Sequence, residues 1–294
     1  MLLQIDHSTR YRYHEPVGLT PHVLRLLPRA APGRHLLRSE LEISPEATVR
    51  WNLDLEENIL GIATFPSETD HLEIKSTLVV EQRITNPFDF LLDERALRLP
   101  FSYNEPERSL LRPYHREENS APDAVLTEWL SPFLGGENPF SLRALTAING
   151  QIPALFRYTP RHEPGVRSVS STLAMGEGTC RDFAHLMMES ARALGVAARY
   201  VSGYLCSSPG TPVEESHTHG WCELYLPGAG WRGFDPTNGI LAGAHHVAVA
   251  TSVLAGEIPP IEGNYCGAPG LSLSHEVMIT ARELLPAEEE ALRP

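Results

Sequence analysis

A chain of 294 residues is long enough for a large buried core and for two structural units. Its net charge of −13 would repel a phosphate backbone, which argues against nucleic acid as a partner, and its charged (21%) and apolar (42%) fractions are those of an ordinary globular chain. No apolar run approaches the roughly 18 residues that span a bilayer, and MLLQIDHSTRYRYHE lacks the basic start and long apolar stretch of a secretory signal, so a cytoplasmic protein without a membrane partner is expected.

Leu3, Ile5, His7, Thr9, Tyr11 and Tyr13 alternate with polar neighbours, the period of a strand. Further strands are expected at His22 to Pro28, Leu41 to Ile43, Val49 to Leu53, residues 59–66 and Leu72 to Ile84, separated by Pro, Gly and Asn turns. Asp54 and Asn58 read as turn-formers. Residues 1–100 are therefore expected to form a β-sandwich-like domain. The stretch 86–122, rich in proline and charge, reads as a connector with little regular structure. Ala124 to Leu134 has a helical pattern closed by Gly135-Gly136, and Asn138-Pro139 opens a second helix from about Phe140 past Ile148, with Pro153 near its end. The second unit, 101–294, has its core at about 140–250.

The stretch GEGTCRDFAHLMMESARALG carries the chemistry. Phe183, Leu186, Met187, Ala191 and Leu194 form one apolar helix face, and Gly195 closes it, so Cys180 stands in the first turn. There the unpaired N–H groups and the positive end of the helix dipole favour a thiolate. Arg199 to Leu205 reads as a strand. His219 to Leu226 alternates, PGAG at 227–230 turns the chain, and Trp231 to Phe234 returns. His219 then begins one strand of a hairpin and Asp235 ends the next, which brings an imidazole beside a carboxylate. The order Cys180, His219, Asp235, with separations of 39 and 16 residues, is that of a nucleophile, a general base and its orienter. His217 is the rival base. HHVAVA at 245–250 and residues 271–285 are expected as later strands, the last returning to one of the sheets.

His217, His219, Cys222, His245 and His246 have a metal-binding composition, but no paired cysteines or His-Glu-x-x-His motif supports a site, so no metal and no cofactor are expected. The four cysteines read as reduced thiols, with Cys206–Cys222 the one pairing to consider in an exported protein. Asp182 reads as a cap for the first helical turn or a tie to the neighbouring loop, His185 as a surface or loop-packing residue, and Tyr158 as a packed aromatic. An oxyanion hole would use the Cys180 N–H and a second donor, for which Asn149, Gln151 and Tyr158 stay open.

The segments GTCRDFAHLMMESARALGVAARYVSGYL and HGWCELYLPGAGWRGFDPTNG resemble the bacterial transglutaminase-like family of the papain-like thiol-enzyme superfamily. The likeness is dense over residues 156–240, and the first 85 residues resemble the β-rich region that precedes the core in this family. It implies an α+β fold in which a nucleophile helix packs on an antiparallel sheet behind a β-rich N-terminal domain. It also implies the roles already named: Cys180 nucleophile, His219 base and acid, Asp235 orienter. Arg181 departs from the usual Gln after the nucleophile, and Gly220 from the usual Ala after the histidine. The expected activity is thiol-dependent acyl transfer on peptide or amide bonds through a thioester, with a peptide or protein as substrate. Hydrolysis, as in a cysteine protease, peptidase or amidase, is favoured over transamidation of glutamine side chains, because no calcium loop or acidic amine-binding cleft is visible. A non-catalytic peptide-binding scaffold is a further alternative, which the intact triad opposes. The oligomeric state stays open.

Overall fold

In the computed structural model, which describes residues 1–116, 123–136, 138–161, 163–208 and 218–288, the opening alternation becomes the 18-residue strand β1 (Leu2–Leu19). Beyond it lie β2 (His22–Leu24), β3 (Arg34–Ser44), β4 (Thr48–Leu53), β5 (Ile59–Thr64) and β6 (Thr69–Gln82). β1, β6 and β3 pair antiparallel in one sheet, while β2, β5 and β4 form a second. Leu24, Leu26 and Ala63 from the second sheet pack on Leu72 and Ile74 of the first, the two-layer core of a sandwich. The strand expected over 22–28 stops at Leu24, although Leu26 still buries its side chain in this core.

The connector is more ordered than expected. Residues 94–96 and 112–114 form 3₁₀ turns, and α1 (Glu105–Leu111) lies between them. The cause is local: Asn104 accepts from the Glu107 N–H, Glu107 returns the bond to the Asn104 N–H, and Pro106 sits in the first turn.

The core unit runs α2 (Ala124–Leu134), α3 (Ser141–Leu155), β7 (Arg157–Tyr158), α4 (Val169–Met175), β8 (Glu177–Gly178), α5 (Cys180–Ala193), β9 (Ala198–Leu205), β10 (His219–Leu226), β11 (Gly230–Asp235), β12 (Ile240–Leu241) and β13 (His246–Ser252). Strands β12-β11-β10-β9-β13 form one antiparallel sheet. Phe183, Leu186, Met187 and Ala191 of α5 pack with α2 and α3 against Cys222, Leu224 and Phe234, so the helix that begins at Cys180 lies on the sheet as expected. The fold is α+β.

The chain then crosses back over the division expected at residue 100. β14 (Ile261–Glu262) pairs with β2, while β15 (Tyr265–Cys266) and β16 (Ser272–Glu283) pair with β1. Leu3, Ile5, Leu78, Val80, Ile279 and Ala281 form a shared core with Tyr204, Cys206, Val247 and Val249, which seals the sandwich to the core unit. The turn at Asp54 and Asn58 docks there too. Asp54 Oδ1 accepts from the N–H groups of Glu56 and Asn58, and the Asn58 amide bonds both the N–H and the carbonyl of Thr251 in β13.

Candidate active site

Cys180 is the first residue of α5, and a reciprocal cap fixes it there. Thr179 Oγ1 accepts from the Asp182 N–H, and Asp182 Oδ2 accepts from the Thr179 N–H at 2.9 Å. Asp182 is buried, and its second oxygen accepts from Arg161 Nη2 at 2.9 Å and from the Arg167 N–H at 2.7 Å. It therefore caps the helix and ties down the preceding loop at once. Arg181 braces the same loop, its guanidinium donating to the carbonyls of Arg161 and Glu163. His185 lies under it, with Nδ1 3.0 Å from the Arg167 carbonyl oxygen. Gly178 has no room for a side chain: a Cβ there would meet Asp182 Cβ at 2.9 Å.

Short parallel pairing of β7 with β8 sets Tyr158 beside this helix start. The Tyr158 hydroxyl is a hydrogen-bond partner of Cys180, and its ring, half exposed, edges onto Phe183. Tyr158 thus faces the thiol rather than filling the core. Its phenol is pushed up to about 12 by burial and by the neighbouring Cys180.

On the other side stands His219 at the start of β10. Its Nε2 donates to Asp235 Oδ2 at 2.9 Å, and its ring is a hydrogen-bond partner of Cys180. The hairpin register places Cys222 opposite Phe234, so the ends carrying His219 and Asp235 come together. Asp235 is fully buried. Oδ2 also accepts from Asn238 Nδ2 at 2.7 Å and His246 Nε2 at 3.0 Å, and Oδ1 from the N–H groups of Thr237 and Asn238. Asn149, a candidate oxyanion donor, instead bonds the carbonyls of Asp235 and Ile240 and braces the loop after the carboxylate. His217 lies outside the described residues.

The charges agree with this geometry. Burial pushes the Cys180 thiol up, but the His219 hydrogen bond and charge, the Gly220 N–H and the Arg181 guanidinium outweigh it and hold the thiol below its ordinary value. Burial pulls the His219 imidazole down, and the bonds to Asp235 and Cys180 outweigh that too, lifting it to about 10. Burial alone would raise Asp235, yet the His219, His246 and Asn238 donors hold it far below the usual carboxylate range. All three shifts run toward a thiolate beside an imidazolium and a carboxylate.

Gly220 has a local reason. The buried ring of Tyr200 occupies the space in which a side chain at 220 would stand, with Cζ 3.2 Å from that Cβ position. Cys180, His219, Tyr158, Tyr200, Arg161 and Arg181 line a cavity of about 360 Å³, with Pro259 and Pro260 also in its wall.

Among the described residues, His219, Asp235 and His246 bring ligand atoms within 4.8 Å of one another. A metal there would have to displace N–H donors, because Oδ2 already accepts from both imidazoles and from the Asn238 amide. The three residues form a hydrogen-bonded cluster. Cys206 and Cys222 are both free: Cys222 packs in the helix-side core and Cys206 in the seam with β1, β6 and β16. Among the described residues, no helix is long and apolar enough to cross a membrane.

Sequence reasoning missed His246 as a partner of Asp235, since only the pairing of β13 with β9 brings it there. It also missed α4, although Ser168 caps that helix and Gly176 ends it in the left-handed region.

The sequence model of the bacterial transglutaminase-like N-terminal region matches residues 3–81, and that of the transglutaminase-like superfamily matches residues 129–236. The crystal structure of a proposed cysteine protease from Cytophaga hutchinsonii has a TM-score of 0.68 to this chain at 19% identity, covering 96% of this chain and 90% of that one. An uncharacterized protein of Mycobacterium leprae is 24% identical over 281 residues, 95% of this chain and 98% of its own length. One from Mycobacterium tuberculosis is 28% identical over 276 residues, 88% of this chain and 86% of its own. With both of the family's regions present in order, the chain belongs to the bacterial transglutaminase-like family.

Proposed function

We propose that the protein is a thiol-dependent acyl-transfer enzyme acting on peptide or amide bonds, with Cys180 as nucleophile, His219 as acid and base and Asp235 as orienter. The observation that carries this reading is the buried Cys180–His219–Asp235 line opening on a cavity of about 360 Å³. Cys180 Sγ attacks the carbonyl carbon, and the negative charge on its oxygen is met by the Cys180 N–H at the start of α5 and by the Tyr158 hydroxyl. His219 Nε2 is held by Asp235, which leaves Nδ1 to give its proton to the leaving amine. The C–N bond breaks and a thioester remains. Neutral His219 then takes a proton from water, hydroxide adds to the thioester, and the thiolate leaves as the imidazolium re-forms.

Hydrolysis is favoured over transamidation because Arg181, whose guanidinium bonds carbonyls, lines the cavity and opposes the approach of a protonated amine. The test is to trap Cys180 with a thiol-directed electrophile and profile peptide substrates with and without added amine. Acid products that amine leaves unchanged support hydrolysis, amide-linked adducts support transamidation, and a protein that binds peptides without turnover refutes the enzyme reading.

A further inference from the structure

The carboxylate of Asp235 serves two imidazoles, and the triad uses only one. We propose that His246 is a positioning residue that holds Asp235 from behind as a neutral, Nε2-protonated ring, making the Cys180–His219–Asp235 line a tetrad. The inference rests on the acyl-transfer reading and extends it to a residue that touches no substrate.

The tautomer follows from the partners of the ring. Gly243 N–H donates to His246 Nδ1 at 3.2 Å, so Nδ1 carries no proton, and the neutral ring must carry its proton on Nε2, which lies 3.0 Å from Asp235 Oδ2. The ring cannot turn away. The His246 N–H bonds the Gly243 carbonyl, Arg34 Nη2 bonds the His246 carbonyl at 2.9 Å, and Trp221 packs edge-on with ring centroids 5.3 Å apart. His246 is almost fully buried and, with Asn238, lines a second cavity of about 1070 Å³ that Asp235 itself does not reach. It therefore stands between the carboxylate and that space.

The benefit is geometric. Without His246, every donor to Asp235 except His219 would come from the turn after β11, the Thr237 and Asn238 N–H groups on Oδ1 and Asn238 Nδ2 on Oδ2, and the carboxylate could be drawn toward that turn. The His246 donor keeps Oδ2 in place, so Asp235 faces His219 Nε2 when the imidazolium forms. The charged and titratable groups that face His246 are Asp235, His219 and His245; those that face His219 and Cys180 are Asp235, His246, Tyr158, Tyr200 and Arg181.

The test is the pH profile of Cys180 alkylation by iodoacetamide in the wild type, His246→Phe and His246→Gln, each with its melting temperature. Phe keeps the ring and loses the donor, whereas Gln restores an N–H at the Nε2 position. His246→Phe should move the acid limb of the profile up by about one pKa unit, a tenfold slower alkylation on that limb. His246→Gln should lie within about threefold of wild type. A folded His246→Phe whose acid limb stays put or moves down overturns the inference, as does a Gln variant as impaired as Phe. If the wild-type Cys180 itself titrates like an ordinary thiol, the acyl-transfer reading fails first, and the two failures are distinguishable. Should His246→Phe fail to fold, ¹⁵N spectra of histidine-labelled wild type decide. His246 should keep its Nε2–H and stay neutral from pH 5 to 8, and a ring protonated on Nδ1 or titrating in that range refutes the assignment.

Discussion

Gly220→Ala perturbs the site at one atom. The new Cβ would lie 3.2 Å from Tyr200 Cζ and 3.4 Å from Cε2, and closer still to the hydroxyl oxygen, well inside van der Waals contact. Tyr200 is buried in the same core as Phe183 and Met187, which leaves its ring little room to swing aside. Overpacking of this kind costs about 1–3 kcal/mol, which for a protein of this size lowers Tm by roughly 5 °C. The same movement displaces the Gly220 N–H that favours the thiolate, so alkylation of Cys180 should slow as well. Removing the hydroxyl with Tyr200→Phe makes room. In a double-mutant cycle followed by thermal melting, Gly220→Ala should cost clearly less in the Tyr200→Phe background, where the closest atom is gone and only the ring-edge carbons remain. Equal losses in both backgrounds would refute the steric reasoning and leave backbone conformation as the reason for glycine.

Three further outcomes follow from named contacts. Asp235→Asn should leave the protein folded while slowing turnover by a factor on the order of 10²–10⁴, as for the orienting acid of serine enzymes; near-normal activity would make Asp235 only the residue that opens the PTNG turn. His7, buried against Tyr204 in the seam, is pulled down to about 4 by burial. The unfolded chain therefore takes its proton first, and stability should be lost as pH falls from 6.5 through 4, by at most roughly 3 kcal/mol, compared by melting with a His7→Gln variant that should lack this component. Asn58→Ala strands the N–H and carbonyl of Thr251 and should cost about 2–3 kcal/mol in urea unfolding; a loss under 0.5 kcal/mol would make the Asp54–Asn58 turn a bystander at the seam.

The parts of the site legible from the sequence are those encoded locally. The apolar stripe from Phe183 to Leu194 and the small residues before Cys180 specify a helix start, and the PGAG turn specifies which strand ends meet. What was not legible depends on pairing between distant segments. His246 reaches Asp235 because β13 joins β9, and its histidine-rich surroundings suggested metal chemistry as readily as a hydrogen bond. Tyr158 reaches the thiol through a two-residue parallel bridge too short to leave a period in the sequence. The Asp54–Asn58 turn reads correctly as a turn, but its hold on Thr251 spans 193 residues. α1 is a different case: its Asn104-x-x-Glu107 box was present, and the surrounding proline and charge masked it.

The most direct test of the activated thiol pits exposure against ionisation. Cys266 is exposed and Cys180 is 8% exposed, so steric access alone favours Cys266. At pH 6 an ordinary thiol is well under 1% thiolate, whereas the His219 imidazolium holds the Cys180 thiol below its ordinary value and raises its thiolate fraction. With limiting iodoacetamide at pH 6 and peptide mass mapping, Cys180 should be labelled on the order of tenfold or more ahead of Cys266, with Cys206 and Cys222 unreacted. Labelling led by Cys266, or shared equally with it, would contradict the thiolate–imidazolium pair.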